Sequence, residues 1–500
     1  MKRYWRVLAI ILVVVVIAGA GTWCIGVYRS HSPLAELKRN PENNLYVIDA
    51  ELNAKDKTLT AVQQVRYVNN EDVTLNEVYF HVYPNAFKKK ETAPFLFDEF
   101  DRAYRKGFAP GSIDITYLGV QQDRSEEPLS YSVEGTDDTI LKVKLKEPLF
   151  PHGVVNLEMK YIIHIPPASE RFGYGENNFN LGNWYPVAAV YDKQGWNLDP
   201  YYPIGDPFYS DASDYEVTVT APAEYTLAAS GKLVEQQKRG DNIAWNFETN
   251  SMRDFAFVAN KQFQVSEKMV EGVKVKSYYY VGDELRGQDA LKLAEKSIKT
   301  FNKMYGKYPY PNYSVVETQF PSGMEYPGLV YINDDYYKLN SSYEYFVFTV
   351  VHETAHQWWY GVVGNDQVDE AWLDEGLTTY SEAVYMEQQY GKDASKKYVG
   401  YFEDSTRKAI SGKAFDGTIL KPLGSFKNWD DYGPAVYDMA AMTFSQLREQ
   451  VGDKVFFDIL RTYYKEYKFK VATTEDFIGV CERVSKKDLD DFFEKLLGGK

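Results

Sequence analysis

Val350-Val351-His352-Glu353-Thr354-Ala355-His356-Gln357-Trp358-Trp359 is the stretch that decides this chain, and Trp372-Leu373-Asp374-Glu375-Gly376 follows it. Residues four apart share one face of an α-helix, so the imidazoles of His352 and His356 reach a common point. Glu353, beside the first histidine, stands where a carboxylate can take a proton from a metal-activated water, which is the physical content of an HExxH pattern. Two histidines leave a zinc ion under-ligated. Glu375, nineteen residues after His356 and near the start of a second helical run, is the expected third ligand and leaves a fourth position for water. Four and seven residues further on, Thr379 and Glu382 share the face of Glu375, and either is placed to orient a ligand histidine. The other four histidines, His31, His81, His152 and His164, read as surface or satisfied core positions.

Working outward, 500 residues exceed one ordinary core and predict two or three domains. A composition of 44% apolar and 25% charged residues is globular, and 16% aromatic residues point to β-rich structure and aromatic-lined grooves. The net charge of −15 excludes a nucleic-acid partner, since no basic excess is present to neutralise phosphates.

At the N-terminus, Lys2, Arg3 and Arg6 precede an uncharged, mostly apolar run from Val7 to Val27. In a helix this run spans roughly 30 Å, enough to cross a bilayer. A transmembrane anchor is expected over residues 1–28, with the N-terminus cytoplasmic and the rest outside. The alternative is a signal peptide cut after Ala18 and Ala20, giving a secreted protein, but the apolar run continues through Trp23, Ile25 and Val27. Bulky Trp23 before Cys24 argues against a lipid-modified cysteine. Cys24 and Cys481 are the two cysteines, one in the anchor and one near the end, so neither a disulfide framework nor a disulfide-linked partner is expected.

Residues 29–44 are polar, contain two prolines and read as a tether. From Tyr46 onward, strand patterns dominate. Val155, Leu157, Met159, Tyr161, Ile163 and Ile165 alternate with mainly polar neighbours, and similar runs occur at Leu59 to Val68, Val78 to Val82, Ile140 to Leu145 and Tyr215 to Thr220. These predict an all-β sandwich domain over 45–265, with the Lys88 to Lys90 charge run on its surface. Beyond it, Leu291, Leu293, Ala294, Ile298, Phe301 and Met304 recur at helical spacing until Gly306, with Pro309 and Pro311 as stops. Strands at Tyr313 to Glu317 and Gly328 to Ile332 and helices from Tyr343 onward make residues 266–500 an α+β domain.

These residues resemble the M1 family of zinc aminopeptidases, gluzincins of thermolysin-like fold. The family signature is HExxH, eighteen further residues and a glutamate in a W-L-N-E-G-like context, matched here by His352 to His356, Glu375 and Trp372 to Gly376. Tyr305 to Pro311 is similar to the family's link into the catalytic domain, and Met324 to Leu329 to its exopeptidase strand. The resemblance implies one Zn2+ per chain on His352, His356 and Glu375, with Glu353 as the base. It places the family's catalytic tyrosine at Tyr437, opening a helix that ends at Gly452, with Tyr432 as fallback. Met439 and Ala440 stand where the family has Lys and Gly. Glu325, with Gly323 and Met324, is the implied substrate-binding loop, Glu325 gripping the substrate's free amine.

Two departures bear on specificity. Tyr326 replaces an asparagine, and the family's Pro-Cys-Phe-Asp-Glu-Pro region, which often lends a second amine-binding side chain, is seen only as Ile204, Gly205, Asp206 and Pro207. Larger members also carry a C-terminal helical domain over the cleft, whereas this sequence runs about sixty residues past Tyr437. The implied activity is release of N-terminal amino acids from peptides outside the cytoplasm. Tyr326 and an open cleft leave an oligopeptidase or endopeptidase as the alternative, and a non-catalytic binding scaffold on the same fold as the competing class, although all four motif residues are present.

Overall fold

A two-residue period of burial organises the N-terminal part of the molecule. Along Thr58–Val68 the side chains of Leu59, Ala61, Gln63, Val65 and Tyr67 are buried in turn, as a strand with one covered face requires. This strand lies inside an eight-stranded sheet, between Leu45–Asn53 and Val154–His164, and pairs antiparallel with both. Leu45–Asn53 in turn runs parallel to Ser213–Pro222. The computed structural model describes residues 39–96, 99–122 and 125–498. The expected anchor lies outside the described residues; among them no helix is long and apolar enough to cross a membrane.

Three differences from the sequence reading emerge. The tether ends earlier than residue 44: the Asn43 side-chain amide donates to Asp214 Oδ1 (2.9 Å), and Asn44 Oδ1 accepts the Val68 N–H (2.9 Å). The layer opposite the large sheet is divided. Two four-stranded sheets form there instead of one, the first containing Val187–Ala188 and Leu75–His81, the second Asn178–Leu181 and Phe257–Asn260. Buried polar contacts tie the first to the large sheet: Gln63 Nε2 donates to the Pro186 carbonyl (2.8 Å), and the Ala188 N–H donates to Tyr46 Oη (3.0 Å). Finally, residue 265 falls inside the strand Phe263–Val270, which pairs with Val273–Tyr280 in a different, five-stranded sheet. The pairing changes sheets before Phe263, because hydrogen-bond partners, not composition, define where a sheet begins.

That five-stranded sheet continues through Asn312–Thr318 and Leu329–Asn333 to a two-residue edge strand, Gly323–Met324. Helices pack behind it or beyond, among them α1 (Glu284–Met304), α2 (Tyr343–Ala355), α3 (Trp372–Tyr390) and α4 (Lys392–Ser411). In α1, Ala290, Leu293, Ala294, Ile298, Phe301 and Met304 are buried at the spacing of one helical face. α3 is different. Every residue from Trp372 to Tyr385 is buried, although the run includes Asp374, Glu375, Thr378, Thr379, Ser381 and Glu382. Buried polar side chains cost free energy unless they find partners, so a helix built this way must be committed to specific contacts.

Glu317, on the central strand Asn312–Thr318, is another buried carboxyl. Its Oε2 accepts the Tyr280 N–H (2.7 Å), while Oε1 lies 3.9 Å from the Lys338 ammonium. Burial, reinforced by Asp283, pushes its pKa up to about 9. A carboxyl whose folded pKa is raised binds a proton more readily folded than unfolded, so its stabilisation is full below about pH 4.5 and is lost as pH rises toward 9. Glu317→Gln, a permanent mimic of the protonated acid, is therefore expected to melt like the wild type near pH 5 and several degrees higher near pH 8. Thermal melts across that range check this; a variant less stable at pH 8 would show that Glu317 is held as the anion.

Candidate active site

α2 is capped at Ser342, whose hydroxyl accepts the Tyr345 N–H, and carries His352 in its last turn with His356 at its C-cap. Immediately afterwards the chain turns back: Tyr360 adopts φ 109°, and its N–H donates to the Val363 carbonyl (2.7 Å). Arg253 fixes this turn from the β-rich part, its Nε donating to the Tyr360 carbonyl (2.8 Å) and its Nη1 to the Ser210 carbonyl (2.8 Å).

Three donor atoms converge. His352 Nε2 and His356 Nε2 lie 3.2 Å apart, and Glu375 Oε2 is 3.3 and 3.2 Å from them. The opposite ring nitrogens are committed. His352 Nδ1 is 2.7 Å from Glu382 Oε1, and His356 Nδ1 is 3.0 Å from the Trp359 carbonyl and 3.1 Å from Thr378 Oγ1. A carbonyl only accepts, and a carboxylate accepts when ionised, so each Nδ1 carries the proton and each Nε2 points its lone pair at the other. Two lone pairs and a carboxylate oxygen facing one another repel, and one cation among them removes the conflict. Tetrahedral zinc with bonds of about 2.0–2.1 Å sets its ligands about 3.3 Å apart, which is the spacing found. Burial opposes ionisation of Glu375, but without a metal the facing His356 and His352, once protonated, outweigh it and hold the carboxyl well below its usual range; a metal cation among the three donors would take over that role.

Around this centre the other buried polar groups of α3 find their partners. Ser381 Oγ accepts from Tyr305 Oη (2.8 Å) and from Trp359 Nε1 (3.1 Å). Asp374, the residue that differs from the family's W-L-N-E-G context, accepts from Asn365 (3.0 Å) through one oxygen and from Gln367 (3.0 Å) through the other, a pattern that suits a carboxylate. Of the two candidates for orienting a histidine, Glu382 meets His352, whereas the Thr379 hydroxyl is buried without a hydrogen-bond partner and its neighbour Thr378 reaches His356. Adjacent helical residues point about 100° apart, and spacing counted from Glu375 picked the wrong one.

Glu353 lies against the edge strand. A Cβ placed on Gly323 would sit 2.0 Å from Glu353 Oε1, so only glycine leaves the carboxylate room. Burial pushes the Glu353 carboxyl up to about 8 against the pull of His352, and its Oε2 has no hydrogen-bond partner. Glu325 is buried too, its Oε1 unpartnered, and donor atoms of Glu325, Glu353 and His356 lie within 4.8 Å of one another. Burial, then Asp206, raises the Glu325 carboxyl well above its ordinary range. Met324 turns away from the site: it is fully buried, and its sulfur accepts from Arg171 Nε at 3.1 Å. Arg171 also pairs with Asp206 and Glu170 and lies over the rings of Phe320 and Phe208. No short motif marks Arg171 in the sequence.

Tyr437 lies in a wide turn of π-helix, Pro434–Met439, between Trp429–Gly433 and a further helix, α5 (Ala440–Val451). Its hydroxyl donates to Glu375 Oε1 (2.9 Å) and its ring is 5.9 Å from that of His352. Tyr432, the fallback, is buried in an apolar cluster with Ile204, Leu423 and Phe426, edge-on to Tyr437. Gly376 brings α3 and α5 together, since a Cβ there would lie 2.6 Å from that of Ala440. The replaced asparagine, Tyr326, is not a wall of the cleft. It is fully buried and crosses to the β-rich part, donating to Asn183 Oδ1 (2.8 Å) beside Gly182. A cavity of about 340 Å³ opens next to Gly323 and Tyr437, lined also by Phe95, Arg102, Tyr202, Asp206 and Trp429.

Histidines from an HExxH helix and a glutamate from the next helix, on an α+β frame, are the ligand arrangement of gluzincin metallopeptidases. Residues 289–496 match the description Peptidase family M1 domain. It is 24% identical over 291 residues to Aminopeptidase M1-B of Oryza sativa subsp. japonica, covering 55% of this chain and 33% of that protein. Aminopeptidase N of Streptomyces lividans is likewise 24% identical, over 55% of this chain and 34% of its own length. The chain thus spans about a third of the curated relatives it matches. An M1 zinc metallopeptidase from Deinococcus radiodurans shares the fold over 89% of this chain and 91% of its own, with a TM-score of 0.59 and 16% identity. A mutant of that enzyme bound to a Tyr-Ser-Ala substrate aligns with a TM-score of 0.62 and 15% identity, over 92% and 94% of the two chains.

Metal analysis of purified protein is expected to find one zinc per chain. His356→Ala should lose it and Glu353→Gln should keep it, because Glu353 contributes no atom to the converging triad; zinc loss from Glu353→Gln would make that carboxylate a ligand.

Proposed function

We propose that the protein is a zinc-dependent aminopeptidase, releasing N-terminal residues from peptides. The observation that carries this reading is the pair of buried, unpartnered carboxylate oxygens, Glu353 Oε2 and Glu325 Oε1, set side by side next to the converging metal donors. One faces the work of a base, the other that of an ammonium acceptor.

Zinc, when held by His352, His356 and Glu375, supplies the Lewis acidity that activates a water and polarises the scissile carbonyl. Glu353 takes the water's proton on its carboxylate and passes it to the leaving amine; its raised affinity for protons suits both halves of that task. The Tyr437 hydroxyl, already beside Glu375, is placed to turn and donate to the oxyanion that develops on the carbonyl oxygen, a contact that accelerates only as far as it strengthens in the transition state. The free edge of Gly323–Met324 offers backbone groups to the peptide, and Glu325, with Asp206 nearby, binds its ammonium by charge-assisted bonds. The amine is thereby fixed a set distance from the base, which decides where the peptide is cut.

Placement outside the cytoplasm, on a single N-terminal anchor, belongs to the same proposal and is supported by the charged and apolar pattern of residues 2–27. Burial of Tyr326 and its bond to Asn183 weigh against the endopeptidase reading as far as that rests on this residue.

Cleavage of a peptide with a free N-terminus and of its N-acetylated twin tests this. Only the free-amine form should be cut, one residue at a time. Equal cleavage of both would replace the aminopeptidase by an oligopeptidase, and cleavage of neither would favour a binding scaffold. Two substitutions separate the roles. Tyr437→Phe should lower kcat on the order of 100-fold or more with zinc content unchanged. Gly323→Ala, which pushes into Glu353, should lower kcat comparably, also with zinc retained; a fully active Gly323→Ala would free Glu353 from its assigned place.

A further inference from the structure

We propose that Tyr398, on α4, is a positioning residue for the metal site: its hydroxyl holds Glu382 in the orientation that fixes His352, and so sets the affinity for zinc. The inference rests on the zinc reading above and extends it to a helix that no motif in the sequence connects with the metal.

Glu382 uses both oxygens. Oε1 meets His352 Nδ1 at 2.7 Å, and Oε2 accepts the hydroxyl of Tyr398. A buried carboxylate held at one oxygen still swings about its terminal torsion; held at both, it keeps one orientation. That orientation sets the plane of the His352 ring and the direction of its Nε2 lone pair.

Tyr398 is itself held by the helix that bears the ligand. Its ring stacks on Phe348 with centroids 4.2 Å apart and planes at 23°, and Phe402 closes the other approach edge-on at 5.1 Å. Phe348 lies four residues before His352, on the same face of α2. The tyrosine thus touches α2 through its ring and α3 through its hydroxyl, bridging the helices that supply all three metal donors. A tyrosine recruited only to cover α2 needs the ring alone. The hydroxyl, aimed at the one carboxylate that orients a ligand, is what the packing role leaves over.

The test measures the zinc dissociation constant of the full-length protein by competition with a chromophoric chelator, together with melting of the metal-free form. Tyr398→Phe keeps the ring and removes the bond. It is expected to bind zinc about tenfold more weakly than wild type, the lower end of what partners of metal ligands contribute, and to melt alongside it. Glu382→Ala should weaken zinc at least as much, and adding Tyr398→Phe to it should change nothing more, since the hydroxyl acts only through Glu382. An unchanged dissociation constant in Tyr398→Phe overturns the proposal, and so does an effect that adds in full to that of Glu382→Ala. If Glu382→Ala does not fold, the Tyr398→Phe value decides alone. A wild type that fails to bind one zinc removes the underlying zinc reading instead, and is distinguished from the other results by that.

Discussion

Mutual repulsion among buried groups of like polarity is the constraint on which this structure turns. Two imidazole lone pairs and a carboxylate meet within 3.3 Å, and Glu353, Glu325, Asp374 and Asp206 are buried around them. Arg171 is the fixed cation of this neighbourhood, and it is already shared between Asp206 and Glu170. Ionising so many buried carboxyls together is costly by itself, and burial raises the proton affinity of Glu353 and Glu325 accordingly. On the proposed function, that cost is relieved by positive charge arriving from outside, a divalent metal ion at one point and a substrate ammonium at the other. The same surplus that opposes folding gives the site its preference for cationic guests.

The β-rich part is more than a platform for the catalytic half. Arg253 holds the turn after His356, Tyr326 binds Asn183, and Arg171 grips Met324 on the edge strand. All three contacts lie within a few residues of a group assigned to metal or substrate. They are buried hydrogen bonds whose partners are far apart in sequence, and each leaves a costly orphan if broken. The position of Glu325 relative to the metal is thus a property of both halves together.

Much of the site was legible because it is local. His352, Glu353 and His356 are bound to one face by helix geometry, and Glu375 follows at a fixed spacing on the next helix, so residue counting reaches the converging triad. α1 was readable for the same reason, its apolar residues keeping the period of a single face. What counting missed is long-range: Arg171 lies about 150 residues from the strand it holds, at Met324, and Tyr398 acts from a helix read only as generic. Thr378 was lost to its neighbour Thr379 because one helical position is a large rotation. Tyr326 looked like a change in specificity, since a sequence does not say on which side of an edge strand a ring will lie. In the β-rich part the strands were readable from their alternation, while the division of the second layer into two short sheets depends on partners that alternation leaves unspecified.

The wide turn at Pro434–Met439 also sets the direction in which Tyr437 faces. A π-helical turn is what an α-helix becomes when it gains one residue without disturbing the helix on either side. Tyr437 stands on this widened turn, where the backbone takes up more residues than a regular α-helical turn would. Shortening the segment by one residue would restore a regular helix and rotate everything upstream of the cut by about 100° relative to α5. The helix would still form and still pack, yet the phenol and the metal ligand it now touches would face different directions. A change of one residue in the length of this segment would therefore redirect Tyr437 with no substitution in the metal site.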